Sequence, residues 1–139
     1  MLRRFALLFP LLLAGCAVYE APKLPTDQLA TLSFEQKPSG LFATGSVALA
    51  KIDGKAPSGS TWILRHRSPI SVAPGKHTIE LSYVVGIANG IMSLWFVAEP
   101  GTAYVVRGDS AGYTFRLWIA EERTGRPVGG IVGSSDEPV

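Results

Sequence analysis

The feature that most constrains this chain is an apolar–polar alternation with a period of two, which begins at Leu29 and continues almost to the end. Strands that alternate in this way, separated at short intervals by Gly and Pro, are typical of antiparallel β-proteins. No stretch combines helical spacing of apolar residues with capping residues. The pattern therefore predicts an all-β fold, a single antiparallel β-sandwich or small open barrel of about seven to nine short strands. The predicted strands are Ala30–Glu35, Leu41–Ile52, Thr61–His66, Ile70–Ala73, His77–Val85, Met92–Ala98, Ala103–Arg107, Tyr113–Ala120 and Val128–Val132.

The N-terminus has a different pattern, which is typical of an export signal. Arg3 and Arg4 precede ten uncharged residues, and Gly15-Cys16 follows them. The apolar stretch is shorter than the roughly 20 residues that a membrane-spanning helix needs. Residues 1–15 are therefore predicted to be a signal peptide that is removed on export.

Leu13-Ala14-Gly15-Cys16 resembles the lipobox of bacterial lipoproteins at all four positions. The resemblance implies that a diacylglyceryl group is attached to the Cys16 sulfur, that cleavage falls between Gly15 and Cys16, and that the new amine is acylated. Residue 17 is Ala rather than Asp, which by the sorting rule of enterobacterial lipoproteins implies the outer membrane. The alternatives are an ordinary secretory signal with an unmodified Cys, or a buried free Cys. Cys16 is the only cysteine, so no internal disulfide competes for it.

Two short segments of the remaining chain resemble known envelope proteins. Ile70 to Leu81 is similar to the PEGA-type β-module of bacterial envelope proteins, and Trp118 to Gly130 is similar to the C-terminal hairpin of small proteobacterial lipoproteins. The resemblance implies a β-sandwich in the cell envelope, and it implies no catalytic residues.

Composition indicates where the domain begins and ends, and it argues against nucleic acid as a partner. Residues 16–28 contain Pro22 and Pro25 and no apolar periodicity, so they are predicted to form the lipidated Cys and a flexible tether. Residues 29–133 would form the domain, and residues 134–139 a frayed polar tail. Once Arg3 and Arg4 are removed, 11 basic and 11 acidic residues remain, without any long basic run. This balance disfavours nucleic acid as a partner.

A long uncharged stretch, Leu81 to Ala98, predicts a hairpin with an apolar tip. Gly86 to Gly90 are predicted to form its loop, which carries Ile87 and places Ile91 next to it. Exposed apolar residues at a tip often mark a contact with a partner or a membrane. The alternative is that the tip folds back over the end of the sandwich.

Arg116 and Trp118 form the second candidate contact surface. They alternate with Phe115, Leu117 and Ile119, so the two groups are predicted to lie on opposite faces of one strand. Arg116 beside Trp118 would present a flat cationic and aromatic surface to a sugar or a peptide. The alternative is an ordinary solvated face on which the Arg stem covers the indole.

The sequence gives little support to metal binding or catalysis. His66 and His77 are the only histidines, fewer than the three or four ligands that a zinc site needs when Cys16 carries lipid. His77 and Glu80 are separated by an odd number of residues and would face opposite ways. The chain has no G-x-S-x-G motif and no phosphate-binding Gly-Lys-Ser/Thr motif. No cofactor, no metal site and no enzymatic activity are therefore predicted.

These observations lead to one expected function and two alternatives. The expected protein is a non-catalytic lipoprotein that is anchored to the outer membrane, faces the periplasm and serves as an adaptor or assembly component. The first alternative is a module that binds a glycan, peptide or small ligand in a pocket with Trp62, Trp95 or Trp118. The second is an envelope hydrolase in which His66 or His77 pairs with a Ser or a carboxylate.

Overall fold

The structure is a computed structural model that describes residues 18–35, 45–57, 69–85, 87–111 and 114–137. The predicted turns at Pro74-Gly75 and Pro100-Gly101 are present, and the predicted strand Thr61–His66 lies outside the described residues. One 3-10 helical turn, Thr26–Gln28, precedes the second strand. The strands are β1 (Val18–Tyr19), β2 (Ala30–Phe34), β3 (Gly45–Ile52), β4 (Ala56–Pro57), β5 (Ile70–Val72), β6 (Gly75–Val85), β7 (Ala88–Ala98), β8 (Ala103–Ala111), β9 (Thr114–Glu121), β10 (Pro127–Val128) and β11 (Gly130–Ile131).

The fold is an all-β sandwich, as predicted. One sheet has the order β10-β9-β8-β2-β5, the other has the order β11-β7-β6-β3, and β1 and β4 form a short third sheet. Most neighbouring strands are antiparallel. Two pairs, β2 with β8 and β1 with β4, are parallel, which the sequence pattern did not predict.

The core forms where the inner faces of the two main sheets meet. Leu117 and Ile119 are buried there, and Phe115 packs against the same cluster, as the alternation of β9 predicts. Aromatic rings join the two sheets: the centroids of Phe96 and Tyr104 lie 5.1 Å apart. Along β2, every second side chain is buried in this way: Ala30, Leu32 and Phe34.

The hairpin of β6 and β7 is longer than predicted. Its pairing continues to Val85 and Ala88, so the loop predicted over residues 86–90 is wrong and Gly90 belongs to β7. A Cβ on Gly90 would lie 2.7 Å from the hydroxyl oxygen of Tyr83, so the absence of a side chain allows that ring to pack across the neighbouring strand. Gly90 therefore acts in packing rather than in a loop.

The predicted last strand, Val128–Val132, is divided at Gly129. The segment pairs with β9 in one sheet as β10, crosses at Gly129, and pairs with β7 in the other sheet as β11. Gly129 has φ +68°, and a Cβ there would lie 1.8 Å from the carbonyl oxygen of Trp95. Only glycine permits both the left-handed conformation and this approach.

Both ends of the described chain pack more closely than a tether and a frayed tail would. Tyr19 belongs to β1 and its hydroxyl donates a 2.7 Å hydrogen bond to the carbonyl oxygen of Ser71. At the other end, Glu137 accepts hydrogen bonds from the backbone N–H of Gly133 and, at 3.0 Å, from Lys76 Nζ. Long-range partners, which composition does not reveal, hold these polar segments in place.

Candidate functional site

The far end of the β6–β7 hairpin exposes three aliphatic side chains, which we call the tip patch: Val84, Ile87 and Ile91. Ile87 is fully exposed, Ile91 is 67% exposed and Val84 is 52% exposed. Val84 pairs with Asn89 and Ile91 with Ser82, so both side chains lie on the outer face of the sheet in diagonal positions. The prediction that Ile87 and Ile91 lie exposed at the tip is confirmed, and Val84 joins them.

The tip patch lies at the opposite end of the domain from the N-terminal strand. β3 starts opposite Val85 at the tip and ends with Ile52 opposite Ile79, about 20 Å away at roughly 3.4 Å per residue. The chain then turns back at Asp53-Gly54, and β1 pairs in parallel with β4. β1 therefore runs towards the tip, and its first residue, Val18, faces the other end.

A second feature, which we call the side cleft, opens along the flank where β9 and β7 face each other. Its volume is about 630 Å³, its floor is apolar, and its rim carries Arg107 and Trp118. The floor combines side chains of both sheets. They are Met92, Phe115, Leu117 and Ile131.

The predicted pairing of Arg116 with Trp118 is present on the rim of the side cleft. The guanidinium carbon of Arg116 lies 5.9 Å from the centre of the Trp118 ring. Arg116 Nε also donates to Asp109 Oδ1 at 3.0 Å, and its Nη2 donates to Oδ2 at 2.5 Å. The hydrogen bonds from Arg116 hold the pKa of Asp109 below its ordinary value. The charge of Arg116 is therefore already matched within the chain.

Arg107 is a rim residue that no sequence motif indicated. It lies directly opposite Trp118 in the pairing of β8 with β9. Its Nε is shielded from solvent and has no hydrogen-bond acceptor among the described residues. Its Nη1 lies 3.9 Å from the position of a Cβ on Gly125, so the guanidinium reaches the turn between β9 and β10. Only the strand register, which alternation alone does not fix, brings these residues together.

His77 has a structural role at the turn between β3 and β4. Its Nδ1 lies 2.7 Å from Asp53 Oδ2, and its Nε2 donates to the carbonyl oxygen of Ala73 at 2.6 Å. Asp53 Oδ1 also accepts the backbone N–H of Thr78. Both ring nitrogens thus help to hold the turn at Asp53 against β6. Glu80 pairs instead with Lys51 on the other face, as the odd spacing predicts.

Trp95 lies beneath the C-terminal residues on the outer face of β7. Lys76 Nζ lies 5.7 Å from the centre of its ring, and Glu137 holds the same amine. The indole nitrogen and the hydroxyl of Ser134 are buried without hydrogen-bond partners in the described part of the chain. Trp95 is therefore covered and does not contribute an open aromatic face.

Several predicted site residues lie outside the described residues: Gly15, Cys16, Trp62 and His66. Within the described ranges, no three His, Cys, Asp or Glu side chains are grouped as a metal site would require. The same residues include no helix long and apolar enough to cross a membrane. Comparisons with protein-family models, curated proteins and solved structures found no match to this chain.

Proposed function

We propose that this protein is a non-catalytic lipoprotein, anchored to the outer membrane through Cys16 and facing the periplasm, that docks an envelope partner at its tip patch. The observation that carries the proposal is the position of the tip patch at the end of the domain opposite Val18. An anchor at one end and an apolar contact at the other are the two parts that an adaptor needs.

The anchor rests on the sequence around Cys16. Each buried acyl methylene contributes about 0.8 kcal/mol to membrane binding, so two or three chains hold a protein durably. Val18, two residues after Cys16, already belongs to β1. Two residues span at most about 8 Å, so the lipid would hold the N-terminal end of the domain close to the bilayer.

The partner surface rests on the chemistry of the tip. Three aliphatic side chains exposed together, with no charge from Leu81 to Ala98, fit an apolar protein contact. Because β1 runs towards the tip, the anchored end faces the membrane and the tip patch faces away from it. A partner protein on the periplasmic side fits this direction better than insertion of the tip into the same bilayer.

The anchor is tested by the intact mass of the membrane-extracted protein, measured for the wild type and for Cys16→Ser. The expected wild-type mass is that of the chain from Cys16 to Val139 plus a diacylglyceryl group and an N-linked acyl chain. The expected mutant lacks these additions. A wild-type chain without lipid would overturn the anchor.

The tip patch is tested by a photo-crosslinking amino acid placed at Ile87 in the membrane-anchored protein. Val97 supplies the control, because it is a half-exposed aliphatic residue on the outer face of β7, near the end of that strand opposite the tip. We expect a protein adduct from position 87 and none of the same mass from position 97. Equal adducts from both positions, or lipid adducts alone from position 87, would contradict a partner-specific tip.

A further inference from the structure

We propose that the side cleft binds an extended, acidic peptide segment of a partner protein, which adds as a strand beside β9. This inference does not depend on the lipid anchor or on the tip patch. It rests on three features of the flank within the described residues: a strand edge that no other strand pairs with, an apolar floor and an arginine without an anionic partner.

The uncovered edge belongs to β9. One side of β9 pairs with β8 along the whole strand, from Thr114 to Glu121. On the other side, β10 pairs only with Ile119 and Ala120, because the chain then leaves the sheet at Gly129. No other described strand pairs with this side between Thr114 and Trp118. Free backbone N–H and C=O groups of this kind are a template for another strand.

An added strand would continue the line of β10 past the crossing. Its side chains would then alternate between the inside of the sandwich and the outer face of β9. The inward ones would meet Phe115 and Leu117 of one sheet and Met92 and Ile131 of the other, which form the floor of the cleft. A cleft of about 630 Å³ lies within the range that encloses ligands, so it has room for a short apolar stretch.

Arg107 determines which charge the bound peptide segment should carry. Asp109 and Arg116 neutralise each other, and among the described residues no carboxylate lies within ion-pair distance of Arg107. Arg107 lines the side cleft in which the added strand would lie, and its Nη1 reaches towards the turn that follows β9. A carboxylate on an outward-facing residue next to Trp118 would accept hydrogen bonds from it in the fork geometry that arginine favours.

A peptide fits this cleft better than a sugar. Recognition of a sugar needs several free polar side chains near the aromatic ring, whereas two of the three charged groups here already bind each other. The free polar groups are those of the β9 backbone and Arg107. Their spacing matches a strand with an acidic side chain.

The test measures binding of fluorescent pentapeptides to the full-length mature protein in mild detergent by anisotropy. The probe is acetyl-Glu-Val-Thr-Val-Thr-amide, whose Glu would lie opposite Trp118, with a Gln analogue that lacks the charge and an N-methylated analogue that cannot donate strand hydrogen bonds. We expect the Glu peptide to bind about tenfold more tightly than the Gln analogue, the usual effect of one charge-assisted hydrogen bond. N-methylation should abolish binding. Hydrogen exchange should slow at residues 114–118 when the Glu peptide binds.

Two variants of the protein distinguish binding in the side cleft from general charge effects. Arg107→Gln should remove the preference for Glu over Gln, while Arg123→Gln, which changes an exposed arginine that contacts Glu121 instead, should keep it. Circular dichroism would confirm that both variants are folded. Equal binding of the Glu and Gln peptides to the wild type, or no slowing at 114–118, would overturn the proposal. Slowing there with a glucuronic-acid disaccharide but not with the peptide would assign the cleft to a sugar and overturn it as well.

Discussion

The two halves of the β6–β7 hairpin have the same strands and the same alternation but opposite environments. On the outer face of the near half, Trp95 is only 9% exposed, whereas on the outer face of the far half Val84 and Ile91 are more than half exposed. The near half is covered on its inner face by the facing sheet and on its outer face by the C-terminal residues over Trp95. The far half has three large apolar side chains exposed to solvent. The difference shows that alternation along a strand determines which side chains share a face, whereas the segments packed over that face determine which of them are buried.

The largest expected effect tests this comparison within the hairpin. Phe96→Ala removes a fully buried ring and should lower the free energy of unfolding by about 4 kcal/mol. Ile87→Ala removes apolar atoms that are already exposed, so it should change stability by less than about 0.5 kcal/mol. Urea denaturation of both variants measures the two values. Similar losses in the two variants would mean that the far half is part of the stabilising core.

The second largest expected effect concerns Gly129, where the chain crosses from one sheet to the other. Gly129→Ala places a Cβ against the carbonyl oxygen of Trp95 at a positive φ and should cost about 3 kcal/mol. Gly133→Ala is the control, because Gly133 also has a positive φ (+80°) but has nothing within 4 Å of the added atom. It should lose only about 1 kcal/mol through backbone strain. Equal losses would show that the close approach to Trp95 has no energetic importance.

A smaller effect tests whether the N-terminal strand is docked. Tyr19→Phe removes the hydroxyl that donates to the Ser71 carbonyl and should cost about 1 kcal/mol. Burial and the charge of Asp53 raise the pKa of Tyr19, in agreement with a packed side chain. Glu20→Ala, at an exposed neighbouring position, is the control and should leave stability unchanged. If Tyr19→Phe were as neutral as the control, residues 18–28 would behave as the free tether that composition predicts.

The smallest effect depends on pH and concerns the C-terminal residues. The Gly133 N–H and Lys76 hold the pKa of Glu137 below its ordinary value of 4.5. The folded pKa is lowered, so the carboxylate stabilises the docked tail above about pH 4.5, and this contribution is lost as the pH falls through the folded pKa. Hydrogen exchange at the Gly133 amide, corrected for its intrinsic rate, should therefore accelerate on acidification in the wild type.

Two variants test whether Glu137 is the group responsible for this pH effect. Glu137→Gln removes the titrating charge and should abolish the pH-dependent loss of protection, whereas Asp136→Asn should retain it. An unchanged pH dependence in Glu137→Gln would show that another group controls the tail.

The parts of the fold that sequence predicted are those that depend on local pattern. Alternation along β9 placed Leu117 and Ile119 in the core and Arg116 and Trp118 outside it, and the uncharged stretch predicted an exposed Ile87. These predictions succeed because the face of a side chain depends only on its position along its own strand.

The parts that sequence did not predict depend on contacts between distant residues. The parallel pairing of β2 with β8 joins segments about 70 residues apart, and the opposition of Arg107 and Trp118 follows from a register that no local motif fixes. The docked C-terminal segment also depends on a distant contact. In the sequence, Glu137 is one polar residue among several, and only the fold brings Lys76 close to it. Gly129 gave a partial signal, since paired glycines within a predicted strand often mark a bend.

The central claim is that the domain is held at the membrane by its N-terminal end, with the tip patch facing away. It is tested most directly by spin labels, introduced through a noncanonical amino acid at Lys55 or at Ile87, in the membrane-extracted protein reconstituted into bilayers with nickel-chelating lipids. Lys55 precedes Ala56, the partner of Val18 in β1, so its label should relax strongly. The label at Ile87 should relax little. Stronger relaxation at Ile87 than at Lys55 would place the tip patch at the bilayer and contradict the account.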